Sequence, residues 1–299
     1  MDDEWKRLEA LRHAIDDIDD GIHDLLMRRV DVVQEIGRLK RDDRDAGPLV
    51  PSLAWRPDRE ARIMRRLFAR HQGPLSFAVV ARLWRELVAA TTRLQGPLTL
   101  ALPQTPDRSL QLRLYDLSRF HYGSETPIEM LGSPEAVIEA VETRAGVIGI
   151  LPALPAADFD AWWPALGRVG ETRAPERPFG RAKAIAALPC LASQGAWPEA
   201  YTIGCLTPHP TGEDEALVML RPPAGAPSLH TAFAPETSAA GEGLTVEGQS
   251  TGPSGEIALR VSLNDADPAA LLARFAGGPW GEPSLIGYYA RPLIVEPRP

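Results

Sequence analysis

Cysteine is nearly absent. The 299 residues hold two, Cys190 and Cys205, too few by themselves for a disulfide framework or a zinc site. The six histidines are scattered with no metal-ligand spacing. Lysine occurs only at Lys6, Lys40 and Lys183, and aromatics make up only 6% of the chain. No apolar run approaches the ~20 residues of a membrane span. The opening MDDEWKRLEALR is charged and already helix-patterned, which fits neither a signal nor a transit peptide. A net charge of -8 argues against a general nucleic-acid binder, which would be basic. These absences leave a cytoplasmic protein that needs neither metal nor cofactor and contacts neither membrane nor nucleic acid.

Proline is plentiful but unevenly placed. Of the 29 prolines, four precede Gly96. Charge divides at the same point: the first 96 residues are about neutral, and the acidic excess lies behind them. This coincidence predicts a domain boundary.

The proline-poor part reads as three helices. Leu8, Leu11, Ile15, Ile18, Ile22, Leu25, Val32, Ile36 and Leu39 keep a three-four spacing for more than thirty residues. Such a helix is ~50 Å long. Its single apolar stripe requires other long helices, best supplied by a second chain. The turn-rich RDDRDAGPLVP ends it. A second helix is expected from Pro57 to about His71, and a third from about Ser76 to Leu94.

Several polar residues sit on these faces. Arg29 occupies a seam position between Leu25 and Val32, and Lys40 lies about 20° from the same face three turns on. Arg59 and Glu60 stand in the first turn of the second helix. Thr91 and Gln95 share a face of the third with Trp84 and Leu87. Singly, each has a plain structural explanation: a snorkelling arginine, a dipole-compensating charge, a helix-end pair. Together they form a set of cations and neutral donors suited to a small dianion. No nucleophile–base pair accompanies them, so the chemistry is one of electrostatic positioning without covalent catalysis.

The strings LRHAIDDIDDGIHDLLMRR, VQEIGRLK, RPDREARIMRRL and RLWRELVAATTRLQG resemble, in order and spacing, the all-helical (type II) chorismate mutases. The resemblance covers about 95 residues. It implies a three-helix domain that forms an intertwined helical homodimer. The implied reaction converts chorismate to prephenate, a step of the shikimate pathway toward phenylalanine and tyrosine. It also implies roles. Arg29 would hold the side-chain carboxylate of chorismate, and Arg12 the ring carboxylate in the neighbouring subunit. Lys40 and Gln95 would donate to the ether oxygen, Glu60 would accept from the ring hydroxyl, Thr91 would stand where the family has a serine, and Arg59 would complete the cationic wall. Arg12 and Arg29 are ~25 Å apart along one helix and ~100° around it, so one small ligand meets both only across two chains. The sequence departs from the family at Arg56, where some members carry an acid, and Arg56 is left out of the catalytic set.

Beyond Gly96 the pattern changes to short apolar runs between helix patterns: LTLAL (98–102), LQLRLYDL (110–117), the helix SPEAVIEAVET (133–143), GVIGILP (146–152), KAIAAL (183–188), YTIGCL (201–206), ALVML (216–220), EIALRVSL (256–263), the helix DPAALLARF (267–275) and SLIGYYARPLIV (284–295). This is an α/β region. It resembles a prephenate dehydratase, with an ACT-type end. The Thr-Arg-Phe tripeptide of that family is missing: Thr92-Arg93, Thr143-Arg144 and Thr172-Arg173 continue with Leu, Ala and Ala. The expectation is therefore a multidomain α and α/β protein: a mutase domain over 1–97, a dehydratase-like domain over 98–240 without dehydratase chemistry, and an ACT-like module over 241–299. Three roles stay open for the second half: an amino-acid effector site, a site for another small acid, or a dimer scaffold. Bifunctional mutase–dehydratase and non-catalytic small-acid-binding dimer are the alternative functions. Trp162 and Trp163 are read as core, and GSETP (123–127) as an ordinary turn rather than an anion-binding loop.

Overall fold

The computed structural model describes residues 2–42, 55–154, 161–167, 178–193, 196, 198–226, 244–264 and 267–295. The chain divides into two compact units, 1–49 and 50–299. The linking string RDDRDAGPLVP lies almost wholly outside the described residues.

The described residues of the first unit form one helix, α1 (Asp2–Asp42). The three-four spacing produces it as expected. Its apolar stripe faces solvent: Leu11, Ile15, Ile18, Ile22, Leu25, Val32, Ile36 and Leu39 are all exposed.

The second unit opens with α2 (Pro57–Arg70) and α3 (Phe77–Arg93). Pro57 begins α2, where its missing N–H costs nothing. Ser76 caps α3 by accepting from the Ala78 amide. Met64, Phe77 and Ala81 form a small core between the two helices, with Leu191, Leu293 and Val295 packed against it.

Then follow β1 (Thr99–Pro103), α4 (Arg108–Tyr122), β2 (Ile128–Leu131), α5 (Pro134–Thr143) and β3 (Val147–Pro152). Strands β1, β2 and β3 pair in parallel. Behind them come β4 (Lys183–Leu188), β5 (Leu191–Ala192), β6 (Ala200–Gly204), β7 (Glu213–Leu220), β8 (Leu244–Thr251), β9 (Ile257–Asn264), α6 (Pro268–Phe275), β10 (Ser284–Ala290) and β11 (Leu293–Ile294). Nine strands make one mixed sheet in the order β2-β1-β3-β6-β4-β10-β7-β9-β8, while β5 and β11 pair separately. Strands from before and after position 240 belong to this one sheet, so the described strands of the expected dehydratase-like and ACT-like parts share it.

The main core packs α5 and the tryptophans Trp162 and Trp163 against the sheet. Both are buried as expected, and Trp162 donates to the Pro152 carbonyl at 3.1 Å. Gly149 lets α5 lie close on β3, because a Cβ there would meet Val137 Cγ1 at 2.5 Å.

One element differs from its sequence reading. LQLRLYDL, grouped with the strand-like runs, is the middle of α4. Its alternation hides a helical face, since Leu110, Leu114 and Leu117 also stand four and seven apart. Asp107 starts the helix by accepting from the Ser109 and Leu110 amides. Leu112, which completes the alternation of Leu110 and Leu114, is exposed, as is Tyr115.

Candidate functional site

The residues singled out for chemistry fall on both units, each described here by itself. On α1, Arg12 is 60% exposed at its side chain and pairs with Glu9 at 2.5 Å. Arg29 is half-buried. Lys40 belongs to the last turn of α1, and its side chain lies outside the described residues.

In the second unit, Glu60 is buried where α2, α3 and α4 meet. Arg85 of α3 donates to Glu60 Oε2 at 2.5 Å. His121 of α4 places Nε2 3.3 Å from the same guanidinium nitrogen and 3.9 Å from Glu60 Oε2. Burial raises the Glu60 carboxyl above its usual range, and the nearby Arg85 charge works against that. Burial and then Arg85 hold the His121 imidazolium far below its usual range, so the ring is neutral. All three groups are buried, so each depends on the others for its polar contacts.

Beneath α2 lies a cavity of about 40 Å³ lined by Glu60, Arg85, His121, Cys190, Arg65 and Arg291. This space suits a few waters rather than a ring bearing two carboxylates. The outer face of α2 differs: Arg59 is exposed. Arg56, whose role was in doubt, forks Asp58 through two hydrogen bonds of 3.0 and 2.9 Å. That fork draws the Asp58 carboxyl down against the opposing effect of burial.

Near the end of α3, the Thr91 hydroxyl donates back to the Leu87 and Val88 carbonyls at 2.9 and 3.1 Å. Gln95 Nε2 reaches the Thr91 carbonyl at 3.4 Å. The structure thus joins Thr91 to Gln95 and buries Glu60 elsewhere on the same unit. GSETP does hold an anion, but one of the chain's own: Ser124 donates its amide to Glu86 at 3.0 Å and its hydroxyl at 2.5 Å.

Sequence reasoning passed over Arg85 and His121. A signal existed for Arg85, because it stands on the stripe of Ala81, Val88 and Thr92, all buried. It is a cation at a seam position, as Arg29 is. Nothing local marks His121, which meets Glu60 only through the fold. No cluster of metal-binding side chains occurs among the described residues, and no described helix is long and apolar enough to cross a membrane.

Residues 11–96 match the family described as chorismate mutase type II. Three curated relatives each bear the name bifunctional chorismate mutase/prephenate dehydratase. That of Pseudomonas aeruginosa is 29% identical over 150 residues, covering 49% of this chain and 38% of the relative. That of Stutzerimonas stutzeri is 28% identical over 152 residues, or 50% and 39%. That of Neisseria gonorrhoeae is 37% identical over 90 residues, or 30% and 22%. This chain therefore spans well under half the length of these relatives. Among solved structures, a prephenate dehydratase from Streptococcus mutans matches with 13% identity and a TM-score of 0.41, covering 64% of this chain and 97% of that one. A protein titled GqqA, a novel type of quorum quenching acylases, matches with 13% identity and a TM-score of 0.39, covering 64% and 94%.

Proposed function

We propose that this chain, which carries a chorismate mutase type II domain at its N-terminus, converts chorismate to prephenate as a homodimer. The observation that carries this reading is the family match over 11–96, a segment that contains every residue of the expected site. The reaction is a pericyclic rearrangement and needs no nucleophile, metal or cofactor. It needs a substrate with two carboxylates to be held in a folded conformation. Arg29 and, from the other chain, Arg12 take the carboxylates, because a guanidinium fork matches a carboxylate in two hydrogen bonds. Arg59 adds to the cationic wall, and the Thr91 hydroxyl stands near the ring carboxylate.

As the ether bond breaks, negative charge grows on its oxygen. Lys40 and Gln95 donate there, and their hydrogen bonds strengthen toward the transition state, which is what accelerates the step. Glu60 accepts from the ring hydroxyl. Glu60 is held by Arg85 beside a space of only about 40 Å³, so this role requires that space to open when chorismate binds. The exposed apolar stripe of α1 supports the dimer, and the long helix supplies the reason that one: Arg12 and Arg29 are too far apart to serve one ligand from one chain.

Loss of chorismate absorbance by the full chain tests the reading. Turnover is expected, and Arg29→Ala or Lys40→Ala should each remove nearly all of it. Normal turnover by either variant would refute the assigned site. The domain boundaries at 97 and 240, a cytoplasmic location and an effector-binding second half belong to the same proposal.

A second reading follows from the relatives, whose alignments to this chain extend beyond the mutase segment and whose names include prephenate dehydratase. The missing Thr-Arg-Phe tripeptide speaks against dehydratase chemistry. No phenylpyruvate is expected when the full chain is given prephenate, and its formation would establish the bifunctional alternative.

A further inference from the structure

The chain's two cysteines have opposite surroundings. The Cys205 thiol donates to the Val141 and Gly180 carbonyls at 3.5 and 3.4 Å, and burial pushes it up to about 12. It is a packing group. Cys190 is half-buried between β4 and β5, and its carbonyl accepts from the Leu293 amide at 2.9 Å, which fixes the backbone there. It lines the cavity of about 40 Å³ beneath α2, together with Glu60, Arg85 and His121. Burial works against the Arg85 guanidinium, but Cys190 and Glu60 beside it hold its value above the usual range. The thiol and the guanidinium are therefore neighbours.

Two donors at this cavity have no acceptor. An arginine can only donate, so His121 Nε2, 3.3 Å from Arg85 Nη1, is the acceptor of that pair. The neutral ring then carries its proton on Nδ1. His121 Nδ1 meets no acceptor among the described residues, and neither does Arg85 Nε. The two residues are only 5% and 3% exposed. Buried N–H groups without acceptors cost stability. An acceptor oxygen placed in the cavity removes that cost, and a space this size takes a group little larger than water. The cavity-lining atom able to acquire such an oxygen is the Cys190 sulfur.

We propose that Cys190 is a modification site, at which a hydroperoxide oxidises the thiol to a sulfenic acid that this cavity retains. The sulfur attacks one peroxide oxygen, so an S–O bond forms and the O–O bond breaks. The thiol proton leaves with the second oxygen, as water when the oxidant is hydrogen peroxide. The sulfur loses two electrons and the peroxide gains them. The Arg85 charge beside the sulfur stabilises the negative charge that develops in this step. The added hydroxyl accepts from Arg85 Nε and His121 Nδ1 and donates to the Glu60 carboxylate, so it stays a neutral acid beside that charge. Cys205 lines a different cavity, of about 10 Å³, and no second thiol lines this one to turn the acid into a disulfide. Glu60 is also the group proposed to accept from the ring hydroxyl of chorismate. A sulfenic acid that donates to Glu60 competes for that role, so oxidation lowers mutase turnover through kcat. This consequence rests on the proposed function; the chemistry at Cys190 does not.

Peptide mass spectrometry of the full chain after brief exposure to hydrogen peroxide tests the proposal. Cys190 should gain one oxygen atom about tenfold faster than Cys205, or more. Dithiothreitol should remove that oxygen, as it removes a sulfenic but not a sulfinic acid. Arg85→Met should slow the gain severalfold. His121→Phe, which keeps a ring in the packing but removes the donor, should shorten the life of the one-oxygen form. The comparison of Cys190 with Cys205 in the native chain decides the matter if these variants misfold. Oxidation should also lower chorismate turnover severalfold, and dithiothreitol should restore it. Cys190→Ala should turn over chorismate as the untreated chain does, with or without peroxide. The mass readout needs no turnover, so an inactive native chain would refute the mutase reading and leave this test standing. Full turnover by the oxidised chain overturns the link to Glu60. The proposal itself is overturned if Cys190 gains oxygen no faster than Cys205, if the gain resists dithiothreitol, or if folded Arg85 and His121 variants oxidise as the native chain does.

Discussion

Arg85 is the residue on which the buried cluster turns. Its guanidinium donates to Glu60 at 2.5 Å. Arg85→Met would leave a buried carboxylate unpaired, a loss of about 3–5 kcal/mol. Replacing Glu60 and Arg85 together by methionine removes both charges and should cost far less than the sum of the single changes, a coupling that a double-mutant cycle in urea measures. His121 yields a pH prediction. Burial and then Arg85 hold its folded value well below the 6.5 of a free imidazole, so the unfolded chain binds the proton more tightly. The stability that neutral His121 contributes is complete above pH 6.5 and is lost as pH falls from there through the folded value. The melting temperature of the native chain should therefore drop between pH 7 and 5, and His121→Gln should drop less over the same range. Equal slopes would sink the assignment. Of this cluster, Glu60 is legible in its sequence motif and Arg85 in its seam position. His121 is not, because 36 residues of chain separate it from Arg85 and only the packing of α4 on α3 joins them.

At the scale of elements, α1, α2 and α3 are legible because one period holds over many turns and glycine or proline marks the ends. Helix α4 is the exception that explains the rule. A leucine at every second position satisfies a strand and, read at 110, 114 and 117, a helix as well. The cap decides between them: Asp107 accepts two amides that a strand would not present. Asp107→Ala should therefore cost about 1 kcal/mol, seen as a fall in melting temperature of about 2–4 °C. A Ser or Asn at 107 should restore most of it, because either side chain still offers the oxygen. Strands β2, β5, β8 and β11 left weaker traces. The first, second and fourth are two to four residues long, and β8, with LTVEGQST, is nearly all polar because it is the last strand of the sheet.

For the whole molecule, the break in proline and charge near Gly96 marks a family boundary but not a boundary of compactness. The chain divides instead after residue 49, and α2 and α3 belong with the α/β sheet. Arg65 of α2 donates to the Glu213 and Arg291 carbonyls at 2.7 and 3.2 Å and to the Thr211 hydroxyl at 2.7 Å. Met64 and Phe77 are buried with help from Leu293 and Val295. Composition could not reveal this, because each contact joins residues more than a hundred positions apart. Two outcomes follow. Ile18→Glu with Leu25→Glu places two charges on the exposed stripe of α1 without touching the sheet. On the proposed reading, sedimentation should show the native chain as a dimer and this variant as a monomer, and the monomer should lose mutase turnover, because the proposed role of Arg12 is in the neighbouring chain's site. The second outcome concerns residues 1–97 alone. Removing the sheet takes His121 from Arg85, the 211–213 and 291 acceptors from Arg65, and the apolar cover from Met64 and Phe77. The fragment should melt well below the full chain and, on the proposed reading, turn over chorismate more slowly, chiefly through kcat, because the Glu60–Arg85 pair loses His121 while the arginines of α1 proposed to bind the carboxylates remain. A fragment with the full chain's stability and kcat would show that the second half lends the mutase segment nothing, and that the α2 and α3 contacts with the sheet are incidental to catalysis.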